Sequence, residues 1–160
     1  MKNNTIQRLV RSQEEILKGG NWLGNDFRSL IDDLTEEEAF EKPLPELHST
    51  AELISHLLVW RQAGLQRFRG GTPTLRMESP ENWKDNETLR KEGGWQRLRN
   101  DFYSSAAEMA ELLNEKDDSF LEQTLPDGHT FLQIAEGLVQ HDIYHLAQIA
   151  ITLKMAAAKR

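Results

Sequence analysis

Residues 130–155 read T-F-L-Q-I-A-E-G-L-V-Q-H-D-I-Y-H-L-A-Q-I-A-I-T-L-K-M, and the spacing of their side chains decides the fold. Alternating steps of three and four residues pass through Phe131, Ile134, Leu138, His141, His145, Gln148, Thr152 and Met155. That alternation is the seam of a helix packed against other helices, and no every-second-residue strand pattern competes with it. Thr130 followed by Gln133 has the form of a capping box, in which each side chain satisfies a free backbone N–H, so the helix is expected to open there.

The same spacing, followed back along the chain, marks three more helical segments. The first carries Ile6, Leu9, Val10, Ile16 and Leu17, is interrupted at Gly19-Gly20-Asn21, and resumes through Leu23, Phe27, Leu30, Ile31 and Leu34 until Pro43 and Pro45 end it. The glycine pair marks a break, either a hinge near a pocket or a helix junction. Ser49-Thr50-Ala51-Glu52 is a second capping box and opens a helix expected over residues 50–69. Gly70, Gly71, Pro73, Pro80 and Asn82 then punctuate a connection too long for a tight turn, which allows a crossover along a bundle. Trp95, Leu98, Phe102, Ala106, Met109 and Leu113 carry the next helix, ending near Asn114. Asp117, Asp118, Pro126, Asp127 and Gly128 form a second irregular stretch. With no internal repeat and no shift in composition, residues 1–160 are expected to form one all-α domain.

Composition narrows the function classes. The chain has 160 residues, 38% apolar and 28% charged, a balance that supports a packed core. Its 26 acidic and 19 basic residues give a net charge of -7, which speaks against nucleic acid as a partner, because phosphate binding needs a basic face. There is no cysteine, so thiolate catalysis and cysteine-held metals are excluded and any metal must be held by nitrogen or oxygen. The N-terminal stretch carries Arg8, Arg11, Glu14 and Glu15 rather than an apolar signal core, and no apolar run approaches the roughly 20 residues needed to cross a bilayer. A cytoplasmic protein without a membrane partner is expected.

The chemistry lies in the seam. His141 and His145 are spaced i, i+4, which stacks both imidazoles on one helix face, and the stepping Leu53, His56, Trp60, Ala63 turns a third histidine inward on the second helix. A single core histidine is ordinarily a hydrogen-bonded structural residue. Three of them in one apolar seam would each cost on the order of 1–3 kcal/mol if left unsatisfied, and a shared cation removes that cost. Bundle interiors are where facing helices build metal sites, and three nitrogen ligands leave at least one position open. The expected cofactor is therefore one divalent transition metal held by His56, His141 and His145. Zinc, nickel, iron(II) and copper all accept imidazole; zinc or nickel is placed first and iron after them.

The segment His141-Asp142-Ile143-Tyr144-His145-Leu146-Ala147-Gln148-Ile149 resembles the H-x-x-Y-H-x-x-Q-I signature of the DinB-like (DinB/YfiT) superfamily. His48-Ser49-Thr50-Ala51-Glu52-Leu53-Ile54-Ser55-His56 with Trp60 is similar to its H-S-x-x-E-L-x-x-H-x-x-x-W segment, and Trp22-Leu23-Gly24 resembles its W-x-G turn. The resemblance runs from about residue 16 to residue 154. It implies a four-helix bundle of up-down-down-up topology with a long crossover connection, a histidine triad at His56, His141 and His145, and a homodimer. It also implies, for some members, transfer of a low-molecular-weight thiol such as bacillithiol or mycothiol. Ala147 departs from the glycine that many relatives carry before the glutamine.

Around the triad, Trp60 either walls the metal pocket or is an ordinary core tryptophan, and Gln148 either hydrogen-bonds to a ligand histidine or metal-bound water or satisfies neighbouring backbone. His48 is read first as structural, packing on the first helical turn, with the rim of the pocket as its alternative, and His129 as a solvent-exposed turn residue without a metal role. Glu52 and Tyr144 are candidate proton carriers by sequence proximity, but the catalytic residues are left unassigned. Three functions follow. The first is a metal-dependent thiol S-transferase acting on a small molecule, with the thiol supplied as a diffusible cosubstrate. The second is a metal-dependent hydrolase, and the third a non-catalytic module whose ion stabilises the bundle.

Overall fold

Asp26, Thr35, Ser49, Asp85, Asp117 and Thr130 each supply a side-chain oxygen that caps the start of a helix, whereas Gly93 starts one without such a cap. The structure, a computed structural model, describes residues 4–159. The described elements are α1 (Asn4–Lys18), α2 (Phe27–Ile31), α3 (Glu36–Phe40), α4 (Thr50–Phe68), a 3-10 turn (Pro80–Trp83), α5 (Asn86–Lys91), α6 (Gly94–Asn114), α7 (Asp118–Glu122) and α8 (Phe131–Ala157). No strand occurs among the described residues beyond a single bridge between Thr124 and Thr130. Both expected capping boxes are present: Ser49 accepts from the Glu52 N–H, and Thr130 accepts from the Gln133 N–H. The first three residues of the N-terminal reading lie outside the described residues.

Among the described residues the four expected segments become eight α-helices, and the reason is local. Gly19 and Gly20 both have a positive φ, +96° and +98°, which only glycine adopts without strain, so the pair ends α1 and is no hinge inside a longer helix. Beyond it, Asp26 and Thr35 each cap a separate one-turn helix, so Phe27, Leu30, Ile31 and Leu34 keep helical spacing without belonging to one helix. Phe27 and Ile31 still reach the core. The connection after α4 likewise holds the 3-10 turn and α5 instead of an unstructured crossover.

Four long helices dominate: α4 packs against α6 and α8, and α1 packs against the same two. One apolar cluster gathers Phe27, Ile54, Leu57, Phe102 and Ile149, and a second gathers Ile6, Phe68, Met109, Leu113 and Phe131. On α4 the side chain between these clusters is Arg61, which lies fully buried.

The seam of α8 differs from the expected one by a residue. Its buried positions are Phe131, Ala135, Val139, Asp142, His145, Leu146, Ile149, Thr152 and Ala156. Ile134, Leu138, His141, Gln148 and Met155 are half-buried at the edge of that stripe. A helix packed against more than one partner buries a stripe wider than the two residues per heptad of a simple seam. The strict alternation therefore follows one edge of it.

Candidate metal centre

His56 enters from α4, and His141 and His145 enter from α8 one turn apart. The His141 Nε2 lies 3.0 Å from the Nε2 of His56 and 3.0 Å from the Nε2 of His145. Ligand atoms of all three fall within 4.8 Å of one another. The structure thus brings together the three histidines that the sequence singled out.

The outer nitrogens set the proton positions. His56 Nδ1 is 2.9 Å from the backbone carbonyl of Asn82, an atom that only accepts, so Nδ1 carries the hydrogen and the Nε2 lone pair of the neutral ring is free. His145 Nδ1 donates in the same way to Gln148 Oε1 at 2.6 Å. Gln148 therefore touches a ligand histidine, as an acceptor. His141 Nε2 faces both of these lone pairs, and a single N–H there could not satisfy two of them. A proton is a poor substitute as well. Burial, reinforced by the neighbouring imidazoles and Arg61, pushes His141 down to about 3. Burial lowers His145 to about 4 and lowers His56 below its ordinary value. Three neutral nitrogens with converging lone pairs fit a divalent ion. Ligands roughly 2.0–2.1 Å from zinc in tetrahedral geometry sit about 3.3 Å apart, close to the spacing here.

Residues that the periodicity did not mark hold this arrangement in place. The buried Asn82 side chain accepts from Trp60 Nε1–H at 2.7 Å and donates to the Met77 carbonyl at 2.8 Å, while its own carbonyl holds His56. Trp83 is stacked between two imidazoles, with ring centroids 3.9 Å from His56 and 3.8 Å from His48. Both belong to the connection after α4, where there is no helical period to reveal them; Pro80 opening a turn that ends in tryptophan is the only signal.

His48 lies 3.1 Å from Glu52 Oε2 and stacks on Trp83. Glu52 is fully engaged: it also meets Lys42 at 3.0 Å and accepts from the Ser49 N–H at 3.2 Å. Tyr144 touches the His145 ring but is largely exposed. Beside His141, Asp142 forms a buried ion pair with Arg61, whose Nη2 donates to both carboxylate oxygens at 2.8 Å. Burial holds the Asp142 carboxyl above the usual carboxylate range, and the guanidinium opposes that rise in part. Arg61 also donates to the Phe102 carbonyl and Ser105 Oγ, and it lies over the Phe102 ring.

A groove of about 530 Å³ opens beside the triad, with His56, Trp60 and His141 at one end and Arg67 and His129 also lining it. Trp60 lines this groove. His129 is exposed as expected and yet borders the groove.

A family model described as the DinB superfamily matches residues 21–149. That span contains all three histidines together with Trp60, Asn82, Trp83 and Gln148. Neither the comparison with curated proteins nor that with solved structures gives a match.

Proposed function

The chain belongs to the DinB superfamily, and from that premise we propose that His56, His141 and His145 hold one divalent transition metal through their Nε2 atoms and that the loaded protein is a thiol S-transferase. The observation that carries this reading is the convergence of three Nε2 atoms while two of the rings are tied from behind through Nδ1. Zinc or nickel suits an all-imidazole set, with iron after them. When bound, such an ion supplies Lewis acidity that lowers the pKa of a thiol or water toward neutrality.

This chain's own residues then bind, orient and shield. The Asn82 carbonyl and Gln148 Oε1 hold two imidazoles in the ligating tautomer. Trp60 and Trp83 pack around His56 and limit water there. The chain has no cysteine, so the thiol is a diffusible cosubstrate of low molecular weight. Hydrolysis stands second, because the acids beside the triad are already engaged: Glu52, one turn before His56, by Lys42, His48 and Ser49, and Asp142, next to His141, by Arg61. The up-down-down-up order of the long helices and a homodimer belong to the same proposal. The dimer is supported by Trp22, 93% exposed, beside the exposed Leu23.

The test is elemental analysis of untagged protein beside His56→Ala, His141→Ala and His145→Ala, followed by turnover of an activated aryl halide with and without added thiol. Expected are one metal per chain, its loss in every variant, thiol-dependent turnover and a dimeric mass in solution. Protein that stays empty after incubation with zinc, nickel and iron would overturn the metal reading. Ester or lactone cleavage without thiol would replace transfer by hydrolysis. A metal-dependent rise in melting temperature with no turnover would leave the non-catalytic module.

A further inference from the structure

The groove beside the triad has features that the metal chemistry alone does not require. Leu75, Met77, Ile134 and Leu138 line it with carbon, and His56 and His141 border one end. Arg67, which also lines it, follows His56 by eleven residues on α4, about 16 Å along the helix axis. That space has the size and lining of a small-molecule site.

Two glycines shape it. A Cβ on Gly64 would lie 2.5 Å from Leu138 Cδ1, so α4 and this α8 side chain approach as closely as a glycine permits. Gly137 is different: a Cβ there would meet nothing within 4 Å, and its backbone does not need the left-handed region. Glycine in mid-helix sacrifices helix stability, and no contact demands it at residue 137. Gly137 is exposed and lines the groove, so a larger side chain there has open space at the groove wall to enter.

Charge narrows the ligand. Arg67 is paired with Asp127 at 2.8 Å, so the cation bordering the groove is already compensated. The chain as a whole carries -7 and repels anions.

We propose that this groove binds the neutral, apolar body of the substrate, an alkyl or aryl group, and that Gly137 sets the size it accepts. The assignment rests on the reading of the triad as the reaction centre.

The test is binding of the neutral fluorophore 1-aminoanthracene to chelator-treated and to zinc-loaded protein, with displacement by 1-octanol or octanoate and with metal content measured on the same samples. Saturable binding is expected in both forms, with 1-octanol displacing the probe at lower concentration than octanoate in the chelator-treated form. Gly137→Phe should weaken probe binding at least about tenfold, the discrimination a filled apolar pocket provides, while circular dichroism and metal content stay unchanged. Met77→Asp, at a position 67% exposed and so safe for folding, should weaken it as well and carries the test if Gly137→Phe does not fold. Binding that does not saturate, that ignores both variants, or that octanoate competes as well as 1-octanol would overturn the proposal. Normal metal loading with failed probe binding would sink the groove assignment alone. Probe binding blocked by Gly137→Phe in protein that takes up no metal would sink the metal reading and leave the groove as an apolar ligand site.

Discussion

Gln148 acts on the candidate centre through one hydrogen bond, to the Nδ1 of His145. Gln148→Ala would leave that nitrogen unpaired and the ring free to turn, and outer partners of this kind ordinarily account for about 10–100-fold in metal affinity. Competition with a chelator should show a loss of that order, with one metal per chain still reached at saturation. The low values of His141, about 3, and His145, about 4, give the metal-free protein a pH dependence of definite sign. Unfolded histidine binds its proton near 6.5, so between roughly pH 6.5 and 4 the unfolded chain holds more protons than the folded one. Stability contributed by these neutral rings is therefore complete above about pH 6.5 and declines as pH falls toward 4. Melting temperatures of metal-free protein across that range should fall more steeply than those of His141→Ala.

At the scale of elements, α4 carries His56, and its start is held by Ser49 and Glu52 capping each other's N–H groups. Ser49 also donates to Asn86 at 2.7 Å, which ties the start of α4 to α5. Ser49→Ala should cost about 1 kcal/mol for the cap, within the usual 0.5–2 kcal/mol, and more if the Asn86 bond contributes. Chemical denaturation would read the loss as a lower midpoint at unchanged slope. These elements were the most legible in the sequence. The starts of α4 and α8, the extent of α6 and the i, i+4 pair all follow from periodicity and capping chemistry, which act within a few residues. The two short helices after α1 were not separated, because one-turn helices capped by Asp26 and Thr35 leave the same apolar spacing as a continuous one.

Across the whole molecule, the pair formed by Arg61 on α4 and Asp142 on α8 places two charges in the core next to the candidate centre. A buried pair is weak evidence of net stabilisation, yet removing one partner strands the other. Arg61→Met should therefore destabilise by about 3–5 kcal/mol, while Arg61→Met with Asp142→Leu should recover most of the loss. A double-mutant cycle in denaturant checks this, and additive single effects would show that the charges are uncoupled. No helix among the described residues is long and apolar enough to cross a membrane.

The sequence by itself determined the all-α class, the starts of α4 and α8 and the three histidines, because helical period and caps are written in neighbouring residues. It could not show which edge of α8 is buried, and so it placed His141 and Gln148 in the seam and left Asp142 unread. Only the tertiary structure brought Asn82 to His56 across 26 residues and Arg61 to Asp142 across 81. It alone stacked Trp83 on two imidazoles and opened a groove at Gly137. These contacts depend on how packed helices and one irregular connection meet in space, and meetings between distant residues leave no periodic trace along a single chain.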